Sequence, residues 1–539
     1  MTVTESAGSH RAAGLGSEER RVIFASSLGT VFEWYDFYLY ATLAPFFAAL
    51  FFPPGNDTAA LLSAFATYAA GFLVRPFGAI LFGRIGDLAG RKYTFLITII
   101  VMGTATFAVG LLPTFATIGW MAPVFLVALR LLQGLALGGE YGGAATYVAE
   151  HAQPGRRGFA TSWIQTTATL GFFLALLVIG VCRFSLFEPE DFADWGWRIP
   201  FLVSLILLIV SVYIRLKLNE SPVFLKMREE GRGSKSPIKD SFFRYPNNKY
   251  VLLALLGATA GQGVVWYTGQ FYALFFLTIT LKVELLTAYL LVGASLLIGT
   301  PFFLFFGWLS DRIGRLRIIL AGCLLAALTY FPLFAALTHY VNPDLEAFQN
   351  DNPIVLTADA ASCNLHVFVG PWSKFSDCDR AKDFLTKSGL SFTTIDAPGN
   401  AKVSVAIGTS KIEGWDEKVW AAQLKAAGYP EKADPEKIDY AMALAILTVF
   451  LIYVTMVYGP IAAYLVELFP TRVRYTSMSL PYHIGNGWFG GMLPLLATAI
   501  VAATGNIYNG LWYPVIVALT TVVIGALFLR ETRDRDITE

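Results

Sequence analysis

Five ionisable residues lie inside long apolar stretches of the sequence, where a charge is costly. They are Glu33, Asp36, Arg75, Arg130 and Glu140. A charged side chain at the centre of a bilayer costs about 2.5–3.5 kcal/mol on insertion scales. Residues that carry this cost need a partner or a role, so these five are the first candidates for chemistry.

Glu33 and Asp36 are three residues apart, so a helix places both on one face. Two neighbouring carboxylates in a medium of low dielectric do not both ionise easily, and one of them should bind a proton reversibly. We therefore expect Glu33 and Asp36, together with Glu140, to couple proton binding to function. The alternative is a structural ion pair with an arginine of a neighbouring helix.

The two arginines are candidates for holding an anionic group. A guanidinium stays charged and can donate two parallel hydrogen bonds to a carboxylate. Arg130, Gln133 and Tyr141 fall near one helical face, whereas Glu140 lies about 80° away on a helical wheel. We hypothesise that Arg75 and Arg130 alternate between the acidic residues and an anionic group of a solute. The alternative is a fixed arginine–carboxylate latch between helices.

The second half of the chain has no comparable arginine, and its candidates for contacting a solute are aromatic, amide and imidazole side chains. Trp and Tyr near the ends of membrane spans usually mark the interface, but Trp266, Tyr267 and Gln270 sit well inside an apolar stretch. Core packing explains these residues equally well, and His483 is more often a buried histidine than part of a proton relay. The candidates are Gln262, Trp266, Tyr267, Gln270, Tyr458 and Asn486.

The elements that must position these residues are membrane-spanning helices. The chain has 539 residues, of which 55% are hydrophobic and 15% are charged, and its mean hydropathy is +0.56. Its apolar stretches are long enough to cross a hydrocarbon core and lack the alternation of barrel strands. The net charge of +1 gives no reason to expect nucleic-acid binding. Twelve spans are predicted, at 22–50, 59–82, 94–112, 123–149, 158–182, 199–218, 250–277, 284–306, 318–338, 440–466, 475–502 and 511–529.

Lys and Arg concentrate on one side of these spans, and the short loops of the other side carry only Arg183, Arg198 and Lys282. Because basic loops stay in the cytoplasm, both termini should be cytoplasmic. The apolar run after the first 21 residues has no cleavage-like site, so we interpret it as a span and not as a signal peptide. The predicted units are a tail at 1–21, a six-helix bundle at 22–218, a cytoplasmic linker at 219–249, helices 7–9 at 250–338, an extracytoplasmic domain at 339–439, helices 10–12 at 440–529 and a tail at 530–539.

Two repeated segments divide the chain into related halves. Residues 83–92 read GRIGDLAGRK and residues 307–315 read GWLSDRIGR, at an offset of 224. Residues 150–157 and 467–474 are also alike, but their offset is 317. The increase indicates an insertion of about 93 residues in the second half, and the polar stretch 339–439 is the only place where it fits.

The two Gly-x-x-x-Asp-x-x-Gly-Arg loops resemble the signature loop of the major facilitator superfamily. Other stretches resemble its metabolite:proton symporter branch, the relatives of proline/betaine, α-ketoglutarate, citrate and shikimate permeases. The resemblance covers the chain except 339–439 and implies an all-α membrane fold of two six-helix bundles. The stretches that carry it are EWYDF from Glu33, RPFG from Arg75, RLLQG from Arg130, GGEYGG from Gly138 and ELFPTR from Glu467.

The repeated loops are predicted to act as gates on the cytoplasmic side. In the superfamily that they resemble, the loop acid caps the N-terminus of a helix in the opposite half, where the helix dipole favours negative charge. The alternative is a topology signal with surface ion pairs of little energy. The predicted gating residues are Asp87 with Arg91, Asp311 with Arg315, Glu150 with Arg157, and Glu467 with Arg474.

The 339–439 block is predicted to be a small α/β domain outside the cytoplasm. Cys363 and Cys378 lie inside it, and an oxidising compartment would allow a disulfide that stabilises so small a unit. A redox-active thiol pair is the weaker alternative, because no Cys-x-x-Cys is present. The predicted elements are strands at 365–369 and 403–407 and helices at 379–388 and 416–427.

Together these features predict a secondary transporter that imports a small organic acid or zwitterion with protons by alternating access. Export or exchange is one alternative, and a solute sensor that uses the 339–439 block is another. The sequence shows no nucleotide loop, metal-ligand cluster or nucleophile triad, so we expect no enzymatic activity, metal or cofactor. The expected partners are a small solute, protons and the lipid bilayer of a bacterial inner membrane, and no nucleic acid.

Overall fold

Long helices make up most of the chain in the computed structural model. The residues that it describes are 17–52, 57–363, 374–397 and 402–538. The first two helices, α1 (Ser17–Phe51) and α2 (Asp57–Leu88), contain 35 and 32 residues. A further ten helices in the described part are long and apolar enough to cross a membrane, and the count of twelve spans stays a prediction. These ten are α3 (Arg91–Leu111), α4 (Met121–His151), α5 (Arg157–Val181), α6 (Phe192–Leu216), α7 (Asn247–Thr280), α8 (Leu285–Ile313), α9 (Arg315–Val341), α10 (Tyr440–Leu468), α11 (Thr471–Thr504) and α12 (Asn509–Phe528).

Wide π-type turns interrupt two of these helices. They occur at three places in α7 and at Ile484–Gly490 in α11. Such turns shift the register of the side chains and are frequent at functional sites. Tyr267 directly precedes one of them, Gln270 lies within it and Asn486 lies within another, so three predicted binding residues stand where the helices are irregular.

Small residues allow α2 and α4 to approach closely. A side chain at Gly134 would collide with the backbone of Gly71, and one at Gly138 would collide with the backbone at Arg75. Membrane helices associate through such small-residue faces because van der Waals packing and close backbone contact hold them together. The glycines of α4 therefore fix the distance between the two helices that carry Arg75 and Arg130.

The two halves meet where α11 packs on α2 and α4 and where α8 packs on α5. At the first contact, Gly142 of α4 leaves room for Ser479 of α11. The Tyr475 hydroxyl of α11 also donates a hydrogen bond to the Gly139 carbonyl at 2.5 Å. The glycine stripe of α4 is thus part of the contact between the halves.

A four-stranded sheet in the order β2-β1-β3-β4 follows α9. The first two strands are parallel, and the other neighbours are antiparallel. A strand and two helices lie where 403–407, 379–388 and 416–427 predict them, whereas 365–369 falls outside the described residues. The elements are β1 (Ile354–Ala358), β2 (Thr393–Asp396), β3 (Ser404–Ile407), β4 (Ser410–Glu413) and the helices Asp377–Lys387 and Glu417–Ala426.

This α/β unit is attached to the second half through its backbone. Phe392 N–H donates to the Gly505 carbonyl after α11 at 2.6 Å, and Asp439 N–H donates to the Tyr340 carbonyl of α9 at 2.8 Å. Gly505 has a φ of +73°, which favours glycine, and a side chain there would collide with Phe392. Within the unit, a disulfide joins Cys363 to Cys378, whose Cα atoms are 5.2 Å apart.

Candidate functional site

Asp36 and Arg130 line one narrow cavity between the first four helices. Asp36 on α1 is 6% exposed and Arg130 on α4 is 7% exposed. Arg75 and Gln133 also line the cavity, so four of the predicted site residues meet there. It has room for water but not for a metabolite. The structure therefore shows a closed site whose walls carry one acid and two arginines.

Arg130 is held by contacts with neighbouring side chains. Its Nη1 donates to Gln133 Oε1 at 2.8 Å, and its guanidinium carbon stands 3.4 Å from the centre of the Tyr40 ring, a cation–π contact. Gln133 Nε2 donates to Thr106 Oγ1 on α3 at 2.7 Å, and Thr106 lies within hydrogen-bonding reach of Asp36. Arg130, Gln133 and Thr106 thus form a chain of polar contacts that leads to Asp36.

Arg75 faces the second half of the chain. Its guanidinium carbon lies 4.2 Å from the centre of the Phe72 ring and 5.7 Å from that of Phe37. Tyr267 of α7 lies within hydrogen-bonding reach of the guanidinium. Arginine stacks well on aromatic rings and keeps its charge when it does so. Arg75 therefore presents a cation where the two halves meet.

Glu33 and Glu140 line a different cavity, to which Asp36 also contributes. This second cavity is enclosed by α1, α3, α4 and α6. Glu140 forms an ion pair with Arg215 of α6, in which Nη2 and Oε1 are 2.5 Å apart. The Thr98 hydroxyl donates to the other carboxylate oxygen at 2.7 Å. Glu140 is therefore paired with an arginine that the sequence analysis did not single out.

Arg215 was missed because it lies close to the end of its apolar stretch, where basic residues are common. Its side chain is nevertheless 1% exposed, whereas Lys217, two residues later, is exposed. Its Nη1 donates to the Phe95 carbonyl at 2.9 Å, and its guanidinium carbon lies 3.5 Å from the centre of the Phe95 ring. No pattern in the sequence separates the buried arginine from the exposed lysine.

Aromatic rings from both halves pack against each other next to these cavities. Tyr141 of α4 stacks on Tyr482 of α11, with ring centres 3.6 Å apart, and the hydroxyl oxygens of Tyr482 and Tyr458 are 2.9 Å apart. Trp266 of α7 packs against Trp34 of α1, with ring centres 5.4 Å apart. Three predicted binding residues thus belong to an aromatic wall that joins the halves. A solute has to separate these rings to lie between them.

The amide candidates of the second half pair mainly with each other. The side chains of Gln262 and Asn486 exchange two hydrogen bonds, at 2.8 and 2.9 Å. Gln270 is 6% exposed, and His483 is buried where α11 meets Gly138 of α4. Amides that satisfy each other are typical of contacts between membrane helices. The structure therefore favours a packing role for Gln262 and Asn486.

The two loop acids cap helices of the opposite half. Asp87, at the end of α2, accepts hydrogen bonds from the N–H groups of Tyr475 and Thr476, at 3.2 and 2.9 Å, where the α-helical part of α11 begins at Arg474. Asp311, at the end of α8, accepts from the second and third N–H groups of α5, at 2.9 and 2.8 Å. A carboxylate there satisfies N–H groups that a helix leaves unpaired and complements its dipole. Both loops therefore hold the halves together on the same face.

A buried ion network surrounds the first of these caps. Arg91 Nη1 lies 3.1 Å from Asp87 Oδ1, and Arg91 Nε lies 3.7 Å from Glu150 Oε2. Glu150 Oε1 is 2.7 Å from Nη1 of Arg474, which belongs to the second half. These four side chains are at most 1% exposed. We refer to this network as the first latch.

The second latch repeats this arrangement with the halves exchanged. Arg315 lies 2.7 Å from Asp311 and 3.1 Å from Glu467. Glu467 lies 3.7 Å from Arg157, which belongs to the first half. All eight predicted gating residues thus lie in the two latches. Each glutamate contacts the arginine of the opposite half instead of the partner from its own segment.

Sequence analysis missed two glutamates that complete the latches. Glu220 accepts hydrogen bonds from the first two N–H groups of α3, at 3.2 and 3.3 Å, and Glu531 accepts from those of α9, at 2.7 and 3.1 Å. Each is followed by a hydroxyl residue, Ser221 or Thr532, that donates to the glutamate of a latch. The signal available was an acid followed by a hydroxyl residue soon after the last helix of each half.

The comparisons with curated proteins identify the class of this protein. The chain is 37% identical over 327 residues to the shikimate transporter of Escherichia coli (strain K12), covering 60% of this chain and 73% of that protein. It is 30% identical over 533 residues to the inner membrane metabolite transport protein YhjE of the same organism, covering 97% and 96%. The protein is thus a multi-pass integral membrane transporter, and its relatives are transporters and not enzymes.

The family follows from a second comparison. The model of the Major Facilitator Superfamily matches residues 26–341, so the chain belongs to that superfamily, as the loop motifs predict. Among solved structures, the proton:xylose symporter XylE superposes with a TM-score of 0.63 at 16% identity, covering 98% of this chain and 99% of that one. At this identity the likeness supports the fold alone.

Proposed function

We propose that the protein imports a small organic acid or zwitterion together with protons, by alternating access. The observation that carries the proposal is the cavity shared by Asp36, Arg75 and Arg130. When Asp36 takes a proton, Arg130 loses its negative neighbour and becomes available to an anionic group of the solute. Loss of the proton restores the attraction between Asp36 and Arg130 and releases the solute.

The latches decide which side of the membrane reaches this cavity. Both latches are closed in the structure, and the Tyr141–Tyr482 stack closes the space between the halves. On this proposal both termini and both latches are cytoplasmic, and the 339–439 domain lies outside. Rocking of the 22–218 bundle against the second half would then open the latches and the aromatic wall together.

The proposal is tested by uptake into proteoliposomes with and without a pH gradient, acid outside. The names of the relatives suggest the panel: shikimate, α-ketoglutarate, proline and betaine. We expect at least one compound to accumulate only with the gradient. Asp36→Asn should abolish this accumulation while leaving counterflow exchange of the same compound measurable, since exchange needs no net proton movement.

Two results would contradict the proposal. Normal gradient-driven accumulation by Asp36→Asn would show that Asp36 does not couple protons to transport. Flux of the same size after the gradient is collapsed would favour an exchanger. Glu230→Gln is a matched control, because Glu230 is an exposed carboxylate of the linker between the halves. It should accumulate the compound as the unaltered protein does.

A further inference from the structure

The second cavity is lined by three carboxylates, two of which play no part in the proposed exchange between Asp36 and Arg130. Glu33, Asp36 and Glu140 border it, and α6 contributes its Ser204. Asp36 is 94% buried, and within the described part of the chain its Oδ1 has no hydrogen-bond partner. Glu33 Oε2 is buried and has none there either. A buried carboxylate oxygen without a partner is costly, so this cavity is suited to a proton or a cation.

Arg215 lies between Glu140 and the helix that carries Glu33. A side chain at Gly29 of α1 would collide with the Arg215 guanidinium, so this glycine makes room for it. Glu33 is one turn further along α1, and helical side chains lean towards the N-terminus of their helix. Glu33 therefore leans towards the arginine that already pairs with Glu140.

One other cation, Arg75, lies near Glu33. The charged groups around Glu33 are Glu140, Arg75, Arg215 and Asp36. Arg75 stacks on aromatic rings and lies beside Tyr267, at the contact with the second half. Glu33 and Glu140 thus share Arg215. The three acids Glu33, Asp36 and Glu140 outnumber the two cations Arg75 and Arg215 by one, and binding of a proton removes this excess negative charge in a medium of low dielectric.

We propose that Glu33, Glu140 and Arg215 form a second proton-binding site, inside the first bundle and separate from the Asp36–Arg130 pair. Glu33 holds the proton, and Arg215 is a positioning residue. With Glu33 protonated, Arg215 stays on Glu140, as in the structure. With Glu33 ionised, Arg215 is drawn towards it and its hold on Glu140 weakens.

This site lies directly behind a contact between the halves. Glu140 follows Gly139, whose carbonyl accepts the hydrogen bond of Tyr475 from α11. Tyr475 N–H is in turn one of the two groups that Asp87 caps. A proton on Glu33 can therefore act on the first latch through Glu140 and the adjacent Gly139. This link to the latch rests on the proposed transport function, but proton binding itself does not.

Proton binding is tested without any solute, by infrared difference spectra of the full chain in lipid vesicles titrated with acid. A buried protonated carboxylic acid gives its own carbonyl stretch. In an Asp36→Asn background we expect one such band to remain, and adding Glu33→Gln should remove it. Arg215→Gln should move the midpoint of this band upward by about one pH unit or more, and Arg215→Lys by less.

The matched control is Arg198→Gln, at the other end of the same helix. Arg198 donates to the backbone carbonyls of Gly110 and Leu112 and should leave the midpoint unchanged. Elution as a single species in size-exclusion chromatography shows that each variant folds. If Arg215→Gln does not fold, the midpoint of Arg215→Lys is compared with that of the control instead.

Three results would overturn the proposal. The first is loss of the band in the Asp36→Asn variant without the Glu33 change. The second is an unchanged midpoint in the Arg215 variants, equal to that of the Arg198→Gln control. The third is a midpoint that moves when sodium replaces potassium, which would indicate a sodium site. The transport proposal fails separately, through the absence of gradient-driven uptake while the titration is intact.

Discussion

The two halves of the chain share their latches but not their interiors. At the latches, each half supplies an acid that caps a helix of the other half, an arginine four residues later and a glutamate that pairs across the contact. In the interior, the first half carries Glu33, Asp36, Arg75, Arg130 and Glu140. The corresponding candidates of the second half are aromatic, amide and imidazole side chains, and two of its amides satisfy each other.

On the proposed function, this difference separates the parts that move from the parts that bind. Alternating access by two rocking bundles needs a contact that both halves make and break, so each half carries its own copy of the latch. One site for a proton and an anion is enough for coupling, and a second set of buried charges would only add desolvation cost. Duplicated residues therefore point to gating, and residues without a counterpart point to chemistry.

The largest expected effect comes from removing the interior charge of the first half. Arg130→Gln should lower the initial uptake rate about 100-fold, because on the proposed function Arg130 holds the anionic group of the solute, and truncating one partner of such a buried charge contact costs about 2–5 kcal/mol. The matched change in the second half is Gln262→Leu with Asn486→Leu, which removes both amides and leaves neither unpaired. This double variant should lower the rate less than about fivefold. Equal losses in the two variants would show that binding is shared by both halves.

The next effect concerns the insertion, which only the second half carries. Replacing Cys363 and Cys378 by Ser should destabilise the inserted domain by about 3 kcal/mol, since the disulfide closes a loop of roughly 15 residues. Faster cleavage of the domain by a protease added to vesicles measures this loss. Uptake should change less than about twofold, since the hydrogen bond of Phe392 to Gly505 holds the domain in place.

The control for this experiment is Cys182→Ser, which alters a cysteine of the first half. It should leave the rate of proteolysis unchanged. If the Cys363/Cys378 double variant lost uptake while its domain still resisted the protease, the disulfide would have a role in transport beyond stabilising the domain.

A smaller effect tests which residues pair across the latches. The double-mutant cycle of Glu150→Gln and Arg474→Gln should give a coupling energy of about 1.5 kcal/mol, because residues in contact are coupled. The cycle of Glu150→Gln and Arg157→Gln should give a value near zero. The measurement is alkylation of a cysteine placed at Ser479, which is buried in the contact between α4 and α11. A coupling energy for Glu150 with Arg157 but not with Arg474 would show that Glu150 pairs within its own segment and not across the halves.

This exchange of partners marks the limit of prediction from the sequence. The latch residues were predictable because their motifs recur at fixed offsets, and repetition is visible in one chain. Their partners were not predictable, because Glu150 could pair with Arg157 of its own segment or with Arg474 of the other half. Only the packing of α11 on α4 brings Arg474 to Glu150. The α/β unit after α9 was similarly predictable from the change in offset, but β1, β2 and β4 were not, because they contain only four or five residues and β2 and β4 bury almost nothing.

In the interior, too, the sequence predicts which charged residues are buried in some cases and not in others. The burial of Asp36 and Arg130 was predictable because an ionisable residue in the middle of an apolar stretch is conspicuous. Arg215 was not, because an arginine near the end of such a stretch usually reaches the membrane surface. Its ion pair with Glu140 and the room that Gly29 leaves for it show that the guanidinium turns inward.

The smallest expected effect compares the two glutamates that cap α3 and α9. Glu220→Ala should weaken the first latch by about 1 kcal/mol, the usual cost of losing a cap. Glu531→Ala should have a smaller effect on the second latch, because Glu531 is exposed and Glu220 is partly buried. Alkylation of the cysteine at Ser479 measures both changes. Glu229→Ala, which removes an exposed linker carboxylate, is the control and should change nothing. A larger effect of Glu531→Ala would mean that the second latch is the stronger one, so that the halves differ in gating as well as in chemistry.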